Sequence, residues 1–350
     1  MTERKRPPKK HHYLGAGRGE FEGDREGAAP AGDAPDAAAP PKKVGPHRAG
    51  FAAIVGRPNV GKSTLLNRLL GQKVAIVSSK PQTTRTRILG VLTRPEAQLA
   101  LLDTPGLHTA KGGLNARMVQ QALQTLSDAD MALFLIEAGP PNIDSATRKA
   151  LDQVKAARKP VLLIINKIDT VKKQDLLPLI ERWKDEHAWT EVYPLSALTG
   201  DNVEGFVEAL IRHLPEGPAL FPSETWTDVP ERELCAEFVR EQVLKQTEQE
   251  VPYSCAVVID QFDEVEREVG PRGLTRILAT LLVERDSQKA IIIGKGGARL
   301  KEIGSRSRHE MERLLGCKVY LQLHVRVEPG WTQTSIGMQR AGYGLGHGTK

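Results

Sequence analysis

The chain contains few cysteines, and this scarcity argues against two kinds of architecture. Three of its 350 residues are cysteines, widely separated and without a CxxC pair. A disulfide-stapled fold or a zinc site needs more cysteines at closer spacings. The sequence therefore disfavours both and favours a reducing compartment. The three cysteines are Cys235, Cys255 and Cys317.

Long apolar runs are also missing. No stretch approaches the roughly 20 residues that a membrane-spanning helix needs, and the N-terminus lacks the apolar core of a secretory signal. A mitochondrial transit peptide is poor in acidic residues, whereas six Asp or Glu residues lie from Glu20 to Asp36. We therefore expect a cytoplasmic protein.

The length of the chain limits the number of domains, and its net charge indicates the kind of partner. A chain of 350 residues can hold two ordinary domains and a tail. Its formal net charge is +6 and its pI is near 9.1. This modest basic excess favours a polyanionic partner, either nucleic acid or an anionic membrane surface.

Composition divides the chain into five parts. Residues 1–48 are rich in Ala, Pro and Gly after a basic start, which predicts a disordered tail. The basic start is either simply solvated or an auxiliary contact to RNA. Pro, Ser and Thr mark 217–230 as a linker between two folded units at 49–216 and 231–330. The Gly-rich end, 331–350, is predicted to be disordered as well.

The unit at 49–216 shows the pattern of an α/β fold. Its strand-length runs are apolar throughout and alternate with helical stretches. This pattern predicts a mostly parallel sheet with helices on both faces, and functional loops at the carboxyl ends of the strands. The predicted strands are 51–55, 99–102, 132–136 and 161–165, and the predicted helices are 63–70, 114–126 and 145–157.

The unit at 231–330 is predicted to be a smaller α/β domain. The pattern gives the order helix, strand, helix, strand, Gly-rich loop, helix, strand. The predicted segments are helix 231–248, strand 255–259, helix 272–283, strand 290–293, helix 299–315 and strand 319–327.

The segment from Gly56 to Ser63 fits the phosphate-binding pattern G-x-x-x-x-G-K-[ST], between a predicted strand and a predicted helix. Backbone N–H groups of such a loop face the β-phosphate, together with the N-terminus of the following helix. Lys62 would supply charge to the β- and γ-phosphates, and the Ser63 hydroxyl would ligate Mg²⁺. The predicted nucleotide contacts here are Gly56, Arg57, Pro58, Asn59, Val60, Gly61, Lys62, Ser63 and Thr64.

A second motif follows the strand at 99–102. It reads Asp103, Thr104, Pro105, Gly106; alone it would be an ordinary Pro-Gly turn. Behind a phosphate loop, Asp103 can hold a Mg²⁺-bound water and the Gly106 N–H can meet the γ-phosphate. Loss of that phosphate would release the segment downstream.

The next residue, Leu107, is not the water-positioning glutamine of Ras-type enzymes. We therefore expect slow turnover, with help from a cation, a switch rearrangement or a partner.

A third motif, Asn166-Lys167-Ile168-Asp169, specifies the base. The Asp169 carboxylate can accept two hydrogen bonds from the N1–H and N2–H₂ edge of guanine, which adenine does not offer. A buried charge left unpaired is costly, so the motif predicts GTP and disfavours a P-loop ATPase or kinase. The alternative role for Asp169 is a helix cap. A backbone N–H from Ser196, Ala197 or Leu198 would contact guanine O6.

The second unit carries a different glycine loop. Gly294-Lys295-Gly296-Gly297 fits the GxxG loop of KH domains, which clamps about four single-stranded nucleotides; the alternative is a simple turn. From Lys289 to Glu328, nine Lys or Arg face four Glu, a local net charge of +5. RNA binding is therefore predicted, through Lys289, Ile293, Gly294, Lys295, Gly296, Gly297, Arg299, Lys301, Arg306 and Arg308.

From about residue 50 to 329 the chain resembles the Era family of bacterial GTPases, which join a Ras-like domain to a type II KH domain. The likeness extends to strings outside the nucleotide motifs, at 80–85, 231–234, 283–289 and 294–304. It implies binding to the 3′ end of small-subunit ribosomal RNA on the pre-ribosomal small subunit, and maturation of that subunit. It also implies occasional association with the inner-membrane surface. A monomer is the default expectation.

The resemblance also assigns roles to residues. Thr84, in preference to Thr83, would be the switch threonine that closes on Mg²⁺ and the γ-phosphate, so that Lys62, Thr84 and Gly106 form the catalytic set. Related GTPases use a potassium ion held by the phosphate-loop asparagine, here Asn59. A hydrophobic residue after the Asp103 motif is also usual in the family.

The alternative function is a GTP-gated peripheral membrane protein in division or stress signalling. It requires a basic amphipathic helix, for which 299–315 is the candidate.

Overall fold

The computed structural model describes residues 46–106, 113–139, 143–264 and 273–343. Leu107, residues 344–350 and all but the last three residues of the predicted N-terminal tail lie outside these ranges. The described elements form two α/β units, a first unit with a six-stranded sheet and a second unit with a three-stranded sheet.

The sheet of the first unit has the strand order β2-β3-β1-β4-β5-β6. Only the β2–β3 pair is antiparallel. The four predicted strands are confirmed as β1, β3, β4 and β5, whereas β2 and β6 were not predicted. The strands are β1 (Arg48–Gly56), β2 (Ile88–Arg94), β3 (Ala97–Asp103), β4 (Met131–Glu137), β5 (Val161–Asn166) and β6 (Glu191–Pro194).

Helices cover both faces of this sheet, as predicted. Alternate residues of β1 enter two separate cores, with Ile54 beside Phe206 on one face and Val55 beside Trp183 on the other. A two-sided core explains why the strands are apolar throughout. The helices are α1 (Lys62–Leu70), α2 (Gly113–Asp128), α3 (Ser145–Ala157), α4 (Lys173–Lys184) and α5 (Val203–His213).

The second unit has the sheet order β7-β8-β9, antiparallel between β7 and β8 and parallel between β8 and β9. Its helices pack on one face over a common core that includes Phe238, Ile277 and Ile303. The elements are α6 (Glu231–Gln246), β7 (Ala256–Asp263), β8 (Leu274–Val283), α7 (Asp286–Ile293), α8 (Ala298–Leu315) and β9 (Lys318–Val327).

Two sequence predictions in this unit were wrong. Residues 272–283, predicted as a helix, contain β8, because both edges of this segment are hydrogen-bonded to neighbouring strands. Residues 290–293, predicted as a strand, are the last turn of α7. The Gln288 side chain accepts hydrogen bonds from the Glu284 and Arg285 N–H groups (2.9 and 3.1 Å) and fixes the start of that helix. Short apolar runs do not distinguish the two structures.

The prediction of a disordered segment from Trp331 was also wrong, for residues 331–343. Trp331 is fully buried, its Nε1 donates to the Ser254 carbonyl (3.0 Å), and its ring stacks on Tyr343. A short helix, α9 (Ser335–Arg340), follows it and buries Met338 in the same cluster. The cluster also includes Leu114 and Met118 of α2, so a few large apolar side chains order this segment against both units.

The predicted linker lies against the first sheet. The Gln98 amide accepts from the Leu220 and Phe221 N–H groups and donates to the Phe221 carbonyl (2.7–2.9 Å). The Val91 N–H donates to the Trp226 carbonyl (3.0 Å). The segment therefore follows the β2–β3 edge. Within the described ranges, no helix is long and apolar enough to cross a bilayer.

We expect Trp331→Ala to lower the free energy of unfolding by about 3–5 kcal/mol, because it leaves a cavity and removes a buried hydrogen bond. Urea denaturation monitored by circular dichroism measures the change. The control is Ile336→Ala in the neighbouring helix, whose side chain is exposed and which we expect to cost less than about 0.5 kcal/mol. Equal effects of the two substitutions would contradict a structural role for this segment.

Candidate nucleotide-binding site

The phosphate loop joins β1 to α1 in a conformation that requires its glycines. A Cβ at Gly56 would lie 2.5 Å from the Leu135 carbonyl oxygen, and one at Gly61, where φ is +101°, would lie 2.2 Å from the Asn166 Nδ2. Both contacts are too close for any other residue. No side chain of the described residues caps the start of α1, and such a helix N-terminus suits an anion.

Lys62 is buried and is held by backbone carbonyls rather than by a carboxylate. Its Nζ donates to the carbonyls of Gly56 (3.3 Å) and Arg57 (3.1 Å). Burial lowers the pKa of Lys62 to about 8, although the Asp103 charge acts in the opposite direction. A phosphate placed here would add negative charge next to this buried ammonium group.

Three oxygen-bearing side chains converge beside Lys62. The Ser63 Oγ donates to the Asp103 Oδ2 (2.7 Å) and lies 2.8 Å from the Thr84 Oγ1, which is 3.2 Å from the same carboxylate oxygen. The Asp103 Oδ1 is buried and has no hydrogen-bond partner within the described ranges. Burial raises the pKa of Asp103, against opposing effects of Lys62, Ser63 and Thr84. Hard oxygen ligands and an unsatisfied carboxylate oxygen fit a hydrated Mg²⁺ ion.

The structure brings only one of the two predicted switch threonines to this cluster. The Thr83 Oγ1 donates instead to the Lys80 carbonyl (2.7 Å). Thr84, and not Thr83, therefore lies beside Ser63 and Asp103, and its role as the switch threonine stays a prediction.

The Asn166 amide joins the three nucleotide motifs that follow β1, β5 and β6. Its Nδ2 donates to the Val60 carbonyl (2.7 Å) and its Oδ1 accepts from the Ala197 N–H (2.9 Å). The side chain is almost fully buried. Sequence reasoning placed Asn166 in the site but missed this bracing role.

Asp169 is exposed and makes no hydrogen bond or ion pair in the part of the chain that the structure describes. It caps no helix, since α4 begins at Lys173 after Lys172. The alternative role of Asp169 as a cap is therefore not seen, and its carboxylate is available to a ligand.

Among residues 196–198, two of the three candidate N–H groups are occupied. Ser196 donates to the Asp201 carbonyl (3.0 Å) and Ala197 to Asn166. Leu198 has the remaining N–H without a partner in the described chain. Sequence reasoning also missed Arg68, whose guanidinium donates to the Ala197 (3.1 Å) and Leu198 carbonyls and holds this loop on α1.

A second missed residue is Glu137, at the end of β4. Its carboxylate pairs with Arg57 (3.0 Å) and with Lys167 (3.0 Å), and so connects the phosphate loop to the base motif.

A cavity of about 380 Å³ opens over the phosphate loop. Of the predicted site residues it is lined by Pro58, Asn59, Gly61, Lys62, Ser63, Thr64, Thr84, Gly106 and Lys167. Ser78, Ser79 and Gln82 also line it and were not predicted. Asp169 and residues 196–198 do not line this cavity, but Asn166 fixes their loops to the phosphate loop.

The GxxG loop connects α7 to α8 and faces open space. Gly294, Gly296 and Gly297 have φ values of +71°, +59° and +79°, and a Cβ on Gly296 or Gly297 would meet nothing within 4 Å. No side chain caps the start of α8. The loop thus places a glycine-dependent backbone at a helix N-terminus, which suits the close approach of a phosphate. The Gly297 and Ala298 N–H groups are bonded within the loop, to the Gly294 and Lys295 carbonyls.

The basic residues near this loop differ in their surroundings. Lys295, Lys301 and Arg308 are exposed and have no ion-pair partner in the described ranges. Arg306 pairs with Glu302 (2.6 Å), and the Arg299 guanidinium donates to the Ile291 carbonyl (2.5 Å). Lys289, on α7, is partly buried, as is Ile293.

This arrangement defines a class: a P-loop GTPase domain, here the first unit, followed by a type II KH domain, here the second unit. Profiles of known families agree. One described as a 50S ribosome-binding GTPase matches residues 51–167, and one described as a KH domain matches residues 250–332.

Similarity to individual proteins identifies the family. GTPase Era of Geobacter metallireducens is 49% identical over 298 residues, covering 85% of this chain and 98% of that protein. An Aquifex aeolicus Era variant bound to GDP and AlF4⁻ matches with a TM-score of 0.80 and 43% identity. Era in complex with MgGDPNP and nucleotides 1506–1542 of 16S ribosomal RNA matches with a TM-score of 0.81 and 44% identity. Both matches cover 85% of this chain and 100% of the other. The chain belongs to the Era family of GTPases.

We expect Asn166→Ala to lower the free energy of unfolding of the nucleotide-free protein by about 2–4 kcal/mol, because two buried backbone groups lose their partner. It should also weaken GDP binding. Urea denaturation and titration with a fluorescent GDP derivative measure the two effects. Asp169→Ala is the matched comparison: it should weaken GDP binding with no loss of stability. A stable Asn166→Ala protein would contradict the bracing role.

Proposed function

We propose that this chain binds and hydrolyses GTP in residues 49–216 and binds the 3′ end of small-subunit ribosomal RNA through residues 231–330. In this proposal it assists maturation of the small ribosomal subunit from the cytoplasm, as a monomer. The observation that carries the nucleotide assignment is the exposed Asp169 carboxylate, which has no hydrogen bond or ion pair among the described residues and lies in a loop that the Asn166 side chain joins to the phosphate loop. The RNA assignment rests on the GxxG geometry and on the family member that binds a 16S fragment.

The GTP contacts follow from the positions of the motifs. The phosphate loop would receive the phosphates on its N–H groups, with Lys62 placing its charge on the β- and γ-phosphates. Gly106 would donate its N–H to the γ-phosphate, and Thr84 would close over it. The remaining proposed contacts are Gly56, Arg57, Pro58, Asn59, Val60, Gly61, Ser63, Thr64, Asp103, Thr104, Pro105, Asn166, Lys167, Asp169, Ser196, Ala197 and Leu198.

Ser63 and Thr84 would hold Mg²⁺ through their hydroxyls, with Asp103 acting through a bound water. When bound, the ion neutralises charge on the phosphates. Potassium is proposed at Asn59, whose Nδ2 donates to the Ser79 carbonyl (2.5 Å) and whose Oδ1 makes no protein hydrogen bond in the described chain. Since residue 107 is a leucine, no glutamine orients the attacking water there, and we propose slow intrinsic turnover.

The membrane alternative has no comparable observation in its favour. In its candidate helix, α8, Ile303, Met311 and Leu315 are buried in the KH core, and Leu300 and Leu314 pack against that core while partly buried. That helix therefore has no free apolar face to insert into a lipid surface. Liposome co-sedimentation that survives Gly296→Asp would revive this alternative.

We expect Asp169→Asn to change the preferred base from guanine to xanthine, because an amide presents a donor where the carboxylate accepted. GTP affinity should fall at least about 100-fold while XTP becomes the better ligand. Competition of GTP and XTP against a fluorescent nucleotide measures this. Asp175→Asn removes the same charge six residues further on and should leave the preference for GTP. An unchanged preference in Asp169→Asn would contradict the base assignment.

We expect Lys301→Glu to weaken binding of a short single-stranded oligonucleotide from the rRNA 3′ end about tenfold, since a phosphate contact is replaced by repulsion. Filter binding at fixed salt measures it. Arg313→Glu is the control, because it makes the same charge change about 18 Å further along α8. Equal losses would indicate non-specific electrostatics rather than a GxxG site.

We also expect the oligonucleotide to bind more tightly in the presence of a GTP analogue than of GDP. Equal affinity in the two states would contradict a switch that couples the nucleotide to RNA.

A further inference from the structure

The segment between α1 and β2, which contains Thr84, is anchored to the KH domain. Ile76 is buried in the KH core. The Glu241 carboxylate of α6, itself buried, pairs with Lys73 (2.6 Å) and accepts from the Val77 N–H (3.0 Å). The Lys80 ammonium donates to the Thr247 carbonyl at the end of α6. The KH domain therefore fixes this segment before it reaches the nucleotide site.

Arg85, the residue after Thr84, is buried against the KH domain and has no acidic partner among the residues that the structure describes. Its guanidinium donates to the carbonyls of Cys255 (2.7 Å), Pro252 (3.0 Å) and Tyr253 (3.0 Å). Tyr343 lies over it, with the hydroxyl 3.3 Å from a guanidinium nitrogen and the ring centroid 5.6 Å from the guanidinium carbon. A planar cation that meets several carbonyls at once has one orientation, so its backbone is held as well.

The residue before Thr84 is held from the same side. Arg240, on α6, is almost fully buried and donates to the Thr83 carbonyl. Glu237, one turn earlier, orients this guanidinium through two hydrogen bonds (2.5 and 2.7 Å). Thr84 thus lies between two backbone positions that the KH domain fixes, and its hydroxyl meets Ser63 and Asp103.

We propose that Arg85 and Arg240 are positioning residues for GTP hydrolysis, which hold Thr84 where it closes on the γ-phosphate and Mg²⁺. This inference rests on the proposed function of the nucleotide site. Neither arginine touches the nucleotide in this assignment; both act through Thr84. The KH domain is then part of the hydrolytic apparatus as well as the RNA-binding module.

Loss of these arginine contacts should change the affinity for GDPNP but not the affinity for GDP. GDP has no γ-phosphate, so its affinity depends on the phosphate loop and Asp169, whereas GDPNP also needs Thr84 in place. Loss of the positioning contacts should lower GDPNP affinity about tenfold and kcat about 10- to 100-fold, since small displacements of a closing residue are costly. GDP affinity should stay unchanged.

The test uses the full chain with Arg85→Ala and Arg240→Ala, and measures kcat and the affinities for MgGDPNP and MgGDP. Arg87→Ala is the matched control, because this arginine lies two residues from Arg85, is partly exposed and faces Asp228 of the linker (3.9 Å). Circular dichroism and urea denaturation report folding. Where an arginine variant does not fold, Tyr343→Ala is used in its place. Tyr343 is partly exposed and contacts the Arg85 guanidinium, so its loss should also lower kcat and GDPNP affinity.

A selective fall in kcat and in GDPNP affinity, absent from Arg87→Ala, supports the positioning role. Unchanged values, or a parallel fall for GDPNP and GDP, would overturn it and leave these arginines as domain-packing residues. Failure of the wild-type chain to bind guanine nucleotide is a separate result, which would overturn the proposed function itself.

Discussion

The Asn166 amide belongs to one of the two loops assigned to the base. It bonds to Val60 of the phosphate loop and to Ala197 of the other base loop. A nucleotide that spans the site needs its phosphate and base ends held at a fixed separation. The Asn166 side chain helps to set that separation, together with the Glu137 ion pairs, because it is buried and both of its hydrogen-bonding groups are used. The Gly61 backbone approaches it so closely that no Cβ fits. The motifs are thus parts of one hydrogen-bonded structure rather than independent contacts.

Two buried cations of this protein are held by carbonyl oxygens, with different results. Lys62 has two carbonyl partners and a pKa lowered by burial to about 8, so an incoming phosphate offers it a better environment. Arg85 is buried, is enclosed by three carbonyls and Tyr343, and does not line the nucleotide cavity. The same type of bonding therefore makes one side chain a ligand receptor and the other a fixed anchor.

Much of the first domain was predictable from sequence because its information is local. The fully apolar strands and the motifs after them each occupy less than ten residues, and the structure confirms the parallel sheet. The errors in the KH domain have a different cause. Residues 272–283 and 290–293 are apolar runs whose structure is decided by pairing with β7 and β9 and by the Gln288 cap.

The contacts of Arg85 were beyond sequence reasoning as well. Its partners lie 167 to 258 residues away in the chain, and one of them, Tyr343, belongs to a segment predicted to be disordered. The sequence signal that this segment is ordered was a large aromatic residue, Trp331, at the start of a Gly-rich end.

Ile76 belongs to the core of one domain and to the sequence of the other. The KH core includes this side chain together with Phe238 and Val243 of α6. Cutting the gene at the linker would therefore divide a hydrophobic core and not only a hinge. A KH fragment that begins at Glu231 would expose the apolar side chains of α6 that contact Ile76. The matching GTPase fragment would expose Ile76 itself. The two domains should unfold together and evolve as a pair, with substitutions at position 76 matched by changes in α6.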